Sequence, residues 1–296
     1  MFDLRYHVAS LAAVFVALIL GIFVGVGLSG KGFVSDAERE NLQASIDALR
    51  AERDEAVARA NRFDRRGEAL DDFANATYPE LVDGMLDGKS VGIVFVGSVD
   101  QGLAGTIRRT VGDAGGRVAQ TRALGVPIDS EAVDSALRSE PATRQLAGID
   151  NRERLGRELA RELVTPGPNP VFDQVSRALV VEQAGSSAAP LDAIVVARPA
   201  PPQQGQTQAL LTGLYSGLAA ASVPTAGVET SDARRSAIPA FHRRGLATVD
   251  GIDRAPGQIA LAFLLAGARP GSYGIEDGAT DGVLPDPPSV TAAAEE

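Results

Sequence analysis

The chain has 296 residues and a net charge of −10, from 28 basic and 38 acidic side chains. This acidic balance argues against nucleic acid, and against anionic lipid, as the main partner of the soluble part. The sequence contains no cysteine, which excludes disulfide bonds, thiolate metal sites and cysteine nucleophiles.

Residues 8–30 form a run of 23 positions without an ionisable side chain, and 13 of them are Leu, Ile, Val or Phe. A helix needs about 20 residues to cross a bilayer core of ~30 Å, so we predict one transmembrane helix over residues 8–30. A cleaved signal peptide is an alternative, but signal sequences have apolar regions of about 7–15 residues that end in a small-x-small cleavage site. Lys-Gly-Phe-Val-Ser follows this run instead. A buried core helix is the third alternative.

The charges that flank the span are almost balanced. Arg5 and the amino terminus precede the span, and Asp3 offsets one of these two charges. Lys31 and Arg39 follow the span, so the positive-inside rule gives no clear orientation. Because a span this close to the amino terminus is typical of a signal anchor, we predict a single-pass protein of the cell membrane with a cytoplasmic tail at residues 1–7. The large domain is then extracytoplasmic.

Small residues recur every four positions within the span. Two helices can approach closely where small residues have this spacing, which favours self-association. The alternative is that Ala and Gly are simply common in this chain. The four residues are Ala13, Ala17, Gly21 and Gly25.

Residues 33–77 are predicted to form a charged helical stem. Between residues 35 and 77 there are 11 acidic residues and 7 arginines, with no proline and one glycine. Apolar or small side chains alternate at spacings of four and three, the a/d pattern of a coiled coil over about five heptads. The pattern predicts a homo-oligomer, and a single amphipathic helix lying on the globular domain is the alternative. The seam positions are Leu42, Ile46, Leu49, Ala56, Ala60, Phe63, Leu70 and Ala74, and Arg53 and Gly67 occupy the same register.

The stem is expected to end at Tyr78 and Pro79, because the residue before a proline disfavours the helical conformation. Its ~43 residues would span roughly 65 Å at 1.5 Å each. A stem of that length would hold a domain well away from the membrane.

From residue 88 onward the pattern changes, and we predict a Rossmann-like three-layer α/β sandwich over residues 88–276. Apolar runs of strand length that are followed by helical stretches indicate βαβ units, as in parallel sheets. Residues 130–182 are predicted to be helical with a loop at 165–170, and the proline-rich acidic end at 277–296 is predicted to be disordered. The predicted strands are 90–96, 117–121, 193–197, 224–228 and 246–249, and the predicted helices are 101–114, 207–221 and 258–265.

The first βα turn, Gly-Ser-Val-Asp-Gln-Gly at residues 97–102, lies where a phosphate-binding loop would follow the strand. Leu103 and Ala104 replace the Lys-Ser/Thr pair of a P-loop, and no G-x-G-x-x-G occurs at this position. A structural turn is therefore the favoured interpretation. Asp100 either faces a ligand crevice at the carboxyl end of the strand or caps the following helix.

The sequence assigns no catalytic residue, no cofactor and no metal site. No G-x-S-x-G nucleophile elbow occurs. His7 lies at the membrane edge, and His242 is interpreted as an exposed loop residue flanked by Arg243 and Arg244.

Three stretches of the chain resemble a known family. The first is Asp-Leu-Arg-Tyr-His at residues 3–7, which leads into the glycine-rich span. The second is the charged stem where it runs into residues 81–91. The third comprises Thr-Val-Asp-Gly-Ile-Asp at 248–253, Pro-Gly-Gln-Ile-Ala-Leu-Ala at 256–262 and Gly-Ser-Tyr-Gly-Ile at 271–275. Together they resemble the actinobacterial copper-transport family MctB over nearly the full chain.

The resemblance implies copper efflux or homeostasis at the cell envelope, and related proteins are associated with envelope assembly and daughter-cell separation. We therefore expect a membrane-anchored accessory or scaffold protein, not an enzyme, that binds an envelope protein and no nucleic acid. The alternative is an enzyme or small-ligand binder that uses a crevice near residues 97–100. Copper favours Cys, Met and His ligands, and the chain offers only Met1, Met85 and two histidines. Direct copper binding is accordingly expected to be weak or absent.

Overall fold

The computed structural model describes residues 4–29, 36–185 and 190–288. It divides the chain into two compact units, Met1–Glu68 and Ala69–Glu296. Residue 30 of the predicted span, residues 33–35 of the predicted stem and residues 289–296 of the predicted tail lie outside the described residues.

The first unit contains an apolar helix, α1, over Leu4–Ser29. It therefore begins inside the predicted tail at residues 1–7. Among the described residues, one helix is long and apolar enough to cross a membrane, His7–Gly27, with 21 residues, a mean hydropathy of 2.7 and none of it buried. Within the first unit, the large apolar side chains of this span are exposed, which favours a membrane span over a buried core helix. A lipid environment would remove this apolar surface from water.

The second helix, α2, runs over Asp36–Val82 and so continues past its predicted end at Tyr78 and Pro79. Pro79 has no N–H and removes one helical hydrogen bond. Two contacts offset that loss, since Val82 is fully buried and the Tyr78 hydroxyl donates to Asp113 Oδ2 at 3.0 Å. Tertiary packing overrides the local signal for a helix end.

Within the first unit, the apolar side chains of the predicted coiled-coil seam of α2 are exposed. Leu49 and Phe63 are 65% and 68% exposed, and Leu42 and Ile46 are exposed as well. The polar faces carry close ion pairs, such as Arg59 Nη1 to Glu55 Oε1 at 3.5 Å. Ion pairs at this exposure contribute about 0–1 kcal/mol each, so they stabilise the helix only slightly.

The second unit is built on a seven-stranded sheet. Its strands are β1, Ser90–Val96; β2, Arg117–Leu124; β3, Val180–Gly185; β4, Ala193–Ala197; β5, Thr225–Val228; β6, Ala247–Val249; and β7, Ser272–Tyr273. Their order across the sheet is β3-β2-β1-β4-β5-β6-β7, and all neighbours are parallel except β2 and β3. The order β3-β2-β1-β4-β5-β6 is that of the dinucleotide-binding fold, so the predicted Rossmann-like α/β architecture is confirmed.

Helices cover both faces of the sheet. The helices of the second unit are α3, Gln101–Asp113; α4, Ser130–Ser139; α5, Arg152–Val164; α6, Pro170–Leu179; α7, Gly205–Ala219; α8, Ile238–His242; and α9, Ala255–Leu265, with short 3-10 turns at Arg144–Leu146 and Ile149–Asn151. Strand β1 is buried along its whole length. Its alternate side chains enter two separate cores, Ile93 and Phe95 with α3 and α9, and Val94 and Val96 with α4 to α7. Two cores around one sheet give three layers.

Strand β3 corrects the prediction that residues 130–182 are helical. It follows α6 directly and pairs antiparallel with β2, Thr121 opposite Ala184 and Ala123 opposite Glu182. Its side chains are mostly exposed, so no alternation of buried residues marks it in the sequence. Pairing with the edge of the sheet decides its conformation.

The described part of the tail that is predicted to be disordered, residues 277–288, makes hydrogen bonds to β7. Asp281 Oδ2 accepts from the Ser272 N–H at 2.8 Å, and the Ser272 hydroxyl donates to the Gly278 carbonyl at 2.7 Å. These bonds tie the segment after residue 277 to β7.

Candidate functional site

The topology of the sheet marks one place for a ligand. From β1 the chain crosses through α3 to β2, and from β4 it crosses through α7 to β5 on the opposite face. The loops after β1 and β4 therefore diverge, which opens a crevice at the carboxyl ends of the strands. In open α/β sheets ligands bind at such a switch point.

A cavity of about 450 Å³ lies at this position. We call it the crevice. Its walls come from the loops that follow β1, β4 and β5. Its lining residues are Asp100, Leu103, Arg198, Pro199, Ala200, Pro201, Val228, Glu229, Thr230, Ala233, Arg234 and Arg235.

The turn after β1 forms one wall of the crevice. Gly97 has a φ of +106°, and a Cβ there would lie 2.9 Å from the Cβ of Ala200 in the loop after β4, so close packing of two loops requires this glycine. Asp100 caps α3, since its carboxylate accepts from the Leu103 N–H at 3.0 Å. The capping role predicted for Asp100 is confirmed, and the same residue also lines the crevice.

The loop after β5 forms the opposite wall and is held by two carboxylates. Glu229 accepts from the Ser236 hydroxyl and the Ala237 N–H, both at 2.6 Å. Asp253 accepts from the N–H and the hydroxyl of Ser231 at 2.7 and 2.6 Å. Burial by itself raises the pKa of Asp253, but these hydrogen bonds outweigh it and hold that pKa below its ordinary value. The wall is thus fixed in place while Asp253 is ionised.

The motif at residues 248–253 and 271–275 supports the loop after β5, which forms this wall of the crevice. Asp250 is buried, and its Oδ1 accepts from the N–H groups of Ile275 and Glu276 at 2.7 and 3.1 Å. The hydroxyls of Thr248 and Ser272 lie 2.6 Å apart across β6 and β7. The motif that carries the family resemblance therefore builds the corner of the sheet from which Asp253 reaches the crevice loop.

The crevice is lined by three arginines and two carboxylates, although the chain as a whole is acidic. Arg198, Arg234 and Arg235 line it, and no carboxylate forms an ion pair with them in the part of the chain that the structure describes. The carboxylates of Asp100 and Glu229 already accept from backbone N–H groups. Guanidinium groups without a carboxylate partner favour an anionic ligand.

The sequence gives a crevice near residues 97–100 only as the alternative to a structural turn, and it gives no sign that these arginines line it. The Arg-Arg pair at 234–235 is visible in the sequence, yet nothing local connects it with Arg198 or with the turn after β1. Parallel strand order brings the three loops to one edge.

Neither histidine is among the residues that line the crevice. His242, the last residue of α8, is exposed, as predicted. His7 is exposed on α1, in the other unit. Among the described residues, no three His, Asp or Glu side chains form a group that could hold a metal ion.

These features define a class: an α/β protein with one candidate membrane anchor, a long charged helix and a Rossmann-like domain. Over residues 1–284 the sequence matches the family described as "Copper transport outer membrane protein, MctB". The chain belongs to this family, which confirms the resemblance drawn from the three motifs.

Mycobacterial relatives match along almost their entire length. Proteins named "Copper transporter MctB" from Mycobacterium tuberculosis and Mycobacterium bovis are 29% identical over 314 aligned positions, covering 94% of this chain and 98% of theirs. The protein of the same name from Mycobacterium leprae is 26% identical over 345 positions, covering 96% of this chain and 100% of its own.

Proposed function

We propose that this protein is a membrane-anchored accessory or scaffold in copper transport or homeostasis at the cell envelope. The family match over residues 1–284 carries the proposal, and relatives of similar length are named copper transporters. A single helix cannot enclose a pore by itself. The one candidate span among the described residues therefore supports an accessory role over that of a conduit formed by one copy.

In this role copper is cargo rather than a resident cofactor. Cu(I) prefers soft ligands, and the chain has no cysteine. Met85 packs against the core, and His242 is exposed at the end of α8. The described side chains thus supply isolated donors, which supports an indirect role in copper handling.

Titration of the detergent-solubilised full-length protein with Cu(I) against a competing chelator should reveal no site tighter than micromolar. The physical reason is the scarcity and separation of soft donors. His242→Ala and His7→Ala should leave the titration unchanged. Stoichiometric binding tighter than micromolar that His242→Ala abolishes would show that copper binds directly.

The orientation that we propose places residues 1–7 in the cytoplasm and residues 32–296 outside. The one candidate span among the described residues lies near the amino terminus, as in a signal anchor, and this supports the orientation. Protease added to intact spheroplasts should degrade the α/β domain while a cytoplasmic marker survives, and lysis should expose both. Protection of the domain in intact spheroplasts would reverse the assignment.

The same proposal includes self-association through the stem. A 3.5-residue apolar repeat favours a left-handed coiled coil, and the exposure of Leu49 and Phe63 leaves this stripe available to a second copy. The small-residue stripe from Ala13 to Gly25 lies on the preceding helix, where it would allow close helix contact. An oligomeric stem would present several α/β domains together to an envelope partner.

Ligand binding by the α/β domain is a second candidate function. The observation that favours it is the cavity of about 450 Å³ at the switch point of the sheet, which three arginines line. A pocket of this size is within the usual range for small-molecule sites. A ligand that binds it raises the melting temperature of the protein, so thermal shifts test this function independently of copper.

A further inference from the structure

A smaller pocket opens beside the crevice, between α7 and α8. Its volume is about 160 Å³, and we call it the α7–α8 pocket. Arg198 lines both cavities. The polar side chains of the α7–α8 pocket are those of Arg198, Gln203, Gln208, Thr212, Tyr215, Arg243 and Arg244.

Tyr215 is the first sign that this pocket holds a ligand. The residue is 4% exposed, and its hydroxyl is buried without a hydrogen-bond partner. Its ring is fixed by an edge-to-face contact with Phe241, with centroids 5.0 Å apart and planes at 85°. A buried hydroxyl that lacks a partner costs free energy. An acceptor in the pocket would remove that cost.

Arg198 supplies a second, independent sign. Its Nη2 donates to the Ser236 carbonyl at 3.0 Å, which positions the guanidinium. Its Nε is buried and has no partner. Two residues that line the pocket, from different elements of the fold, therefore each carry a buried donor that no acceptor in the described chain satisfies.

The charge of the lining indicates the sign of the ligand. Arg243 and Arg244 join Arg198 around the pocket, and no carboxylate pairs with any of the three within the described ranges. No Asp or Glu lines the pocket. Arg243 and Arg244 are exposed, so water screens their charge in part, and an anion in the pocket would gain from all three guanidinium groups.

Tyr215 remains a donor at neutral pH. Burial raises the pKa of its hydroxyl, and the nearby charge of Arg198 opposes this only in part. The protonated hydroxyl can therefore donate to an anionic oxygen. A carboxylate has two oxygens, whereas a terminal phosphate has three and engages several guanidinium donors together.

We propose that the α7–α8 pocket binds the phosphate group of a phosphorylated small molecule. The inference rests on the second proposed function, ligand binding by this domain, and adds the chemical class of the ligand. Because Arg198 borders both cavities, the rest of the molecule would extend into the crevice. Leu103 and Pro199 supply apolar surface there.

Calorimetric titration of the detergent-solubilised full-length protein with inorganic phosphate tests the proposal. One saturable site is expected, and acetate at the same ionic strength should bind at least tenfold more weakly. Tyr215→Phe removes one donor but keeps the ring contact, so phosphate affinity should fall about tenfold. Arg244→Gln should cause a similar loss, while Arg177→Gln, an exposed arginine on α6, should cause none.

Three outcomes would overturn the proposal: no saturable phosphate binding, equal affinity in the wild type and both pocket variants, or equal losses in the Arg177→Gln control. If phosphate affinity falls only in Arg234→Gln, the phosphate binds in the crevice. That result would reject the α7–α8 pocket as the phosphate site but would still support ligand binding by the domain.

Binding to lipid vesicles with and without phosphatidic acid distinguishes the two possible sources of the phosphate group, a lipid headgroup and a soluble molecule. If the protein binds vesicles that contain phosphatidic acid and inorganic phosphate displaces it, the ligand is a lipid headgroup. If the protein binds phosphate in the calorimeter but does not bind the vesicles, the ligand is a soluble phosphate compound. Both results support the pocket.

Discussion

Replacing Asp134 by alanine should destabilise the α/β domain by about 3–5 kcal/mol, the usual cost of leaving a buried charge without its partner. The stranded charge is Arg152, which is fully buried at the start of α5. Arg152 Nη1 lies 2.9 Å from Asp134 Oδ1, its Nε donates to Gln206 Oε1 at 2.8 Å, and its Nη2 donates to the Ser130 carbonyl at 3.1 Å. The Arg152 side chain thus connects α4, α5 and α7, so the loss of its ion pair with Asp134 weakens the packing of three helices.

Thermal unfolding monitored by circular dichroism measures this effect, and the expected fall in melting temperature is about 6–20 °C for a domain of this size. Arg138→Gln is the matched control, because Arg138 pairs with the same carboxylate at 3.5 Å but is 60% exposed. It should cost less than about 1 kcal/mol. Equal losses from Asp134→Ala and Arg138→Gln would contradict the assigned role of the buried pair.

The same pair gives the domain a pH dependence with a defined sign. Burial alone raises the pKa of Asp134, but the hydrogen bond from the Gly148 N–H and the charge of Arg152 outweigh it and hold that pKa below its ordinary value. A carboxylate with a depressed folded-state pKa stabilises the protein fully above its unfolded pKa of about 3.9. The contribution of Asp134 to the free energy of unfolding should be lost as the pH falls through its folded-state pKa. In Asp134→Ala, the free energy of unfolding should therefore depend less on pH in this acid range.

Charging the stem should dissolve the oligomer. Leu49→Asp together with Phe63→Asp places carboxylates at two d positions of the predicted seam, where a partner helix would desolvate them. Two unpaired charges cost more than the seam contacts gain, so the double variant should sediment as a monomer in mild detergent while the wild type sediments as an oligomer. Analytical ultracentrifugation of the full chain at matched detergent measures both.

Ala51→Asp together with Ala58→Asp is the control for the stem. Both positions lie opposite the seam in the heptad register and are exposed, so the same added charge should leave the oligomer intact. A wild-type protein that sediments as a monomer, or an oligomer that survives the seam variant, would refute association through the stem. The same result would leave the fold of the α/β domain unaffected, since that domain has its own core.

Part of the candidate site was predictable because its signals are local. Asp100 lies in the short turn between a buried strand and a helix, and this position is enough to suggest both a cap and a place at the carboxyl edge of the sheet. Arg198 and Tyr215 were not predictable. An arginine after a strand and a tyrosine on an apolar helix are common, and only the structure shows that Arg198 Nε and the Tyr215 hydroxyl are buried without partners.

The amino-acid sequence by itself determined the elements whose signal is continuous along the chain. The apolar run at 8–30, the strand at 90–96 and the strand at 193–197 follow from composition and length, because each side chain contributes to the same preference. The tertiary structure alone decided the continuation of α2 through Pro79 and the strand β3. In each case the local preference is weak or contrary, and the deciding interaction comes from a residue distant in sequence.

The grouping of the arginines that line the crevice and the α7–α8 pocket was also decided by the tertiary structure alone. Arg198, the pair at 234–235 and the pair at 243–244 follow different strands or helices, and their separation along the chain gives no sign that they meet. Parallel strand order carries the loops after β4 and β5 to one edge, and α8 folds back beside them. Charge repulsion among these arginines opposes that arrangement, and the burial of two separate hydrophobic cores supplies the free energy that holds them together.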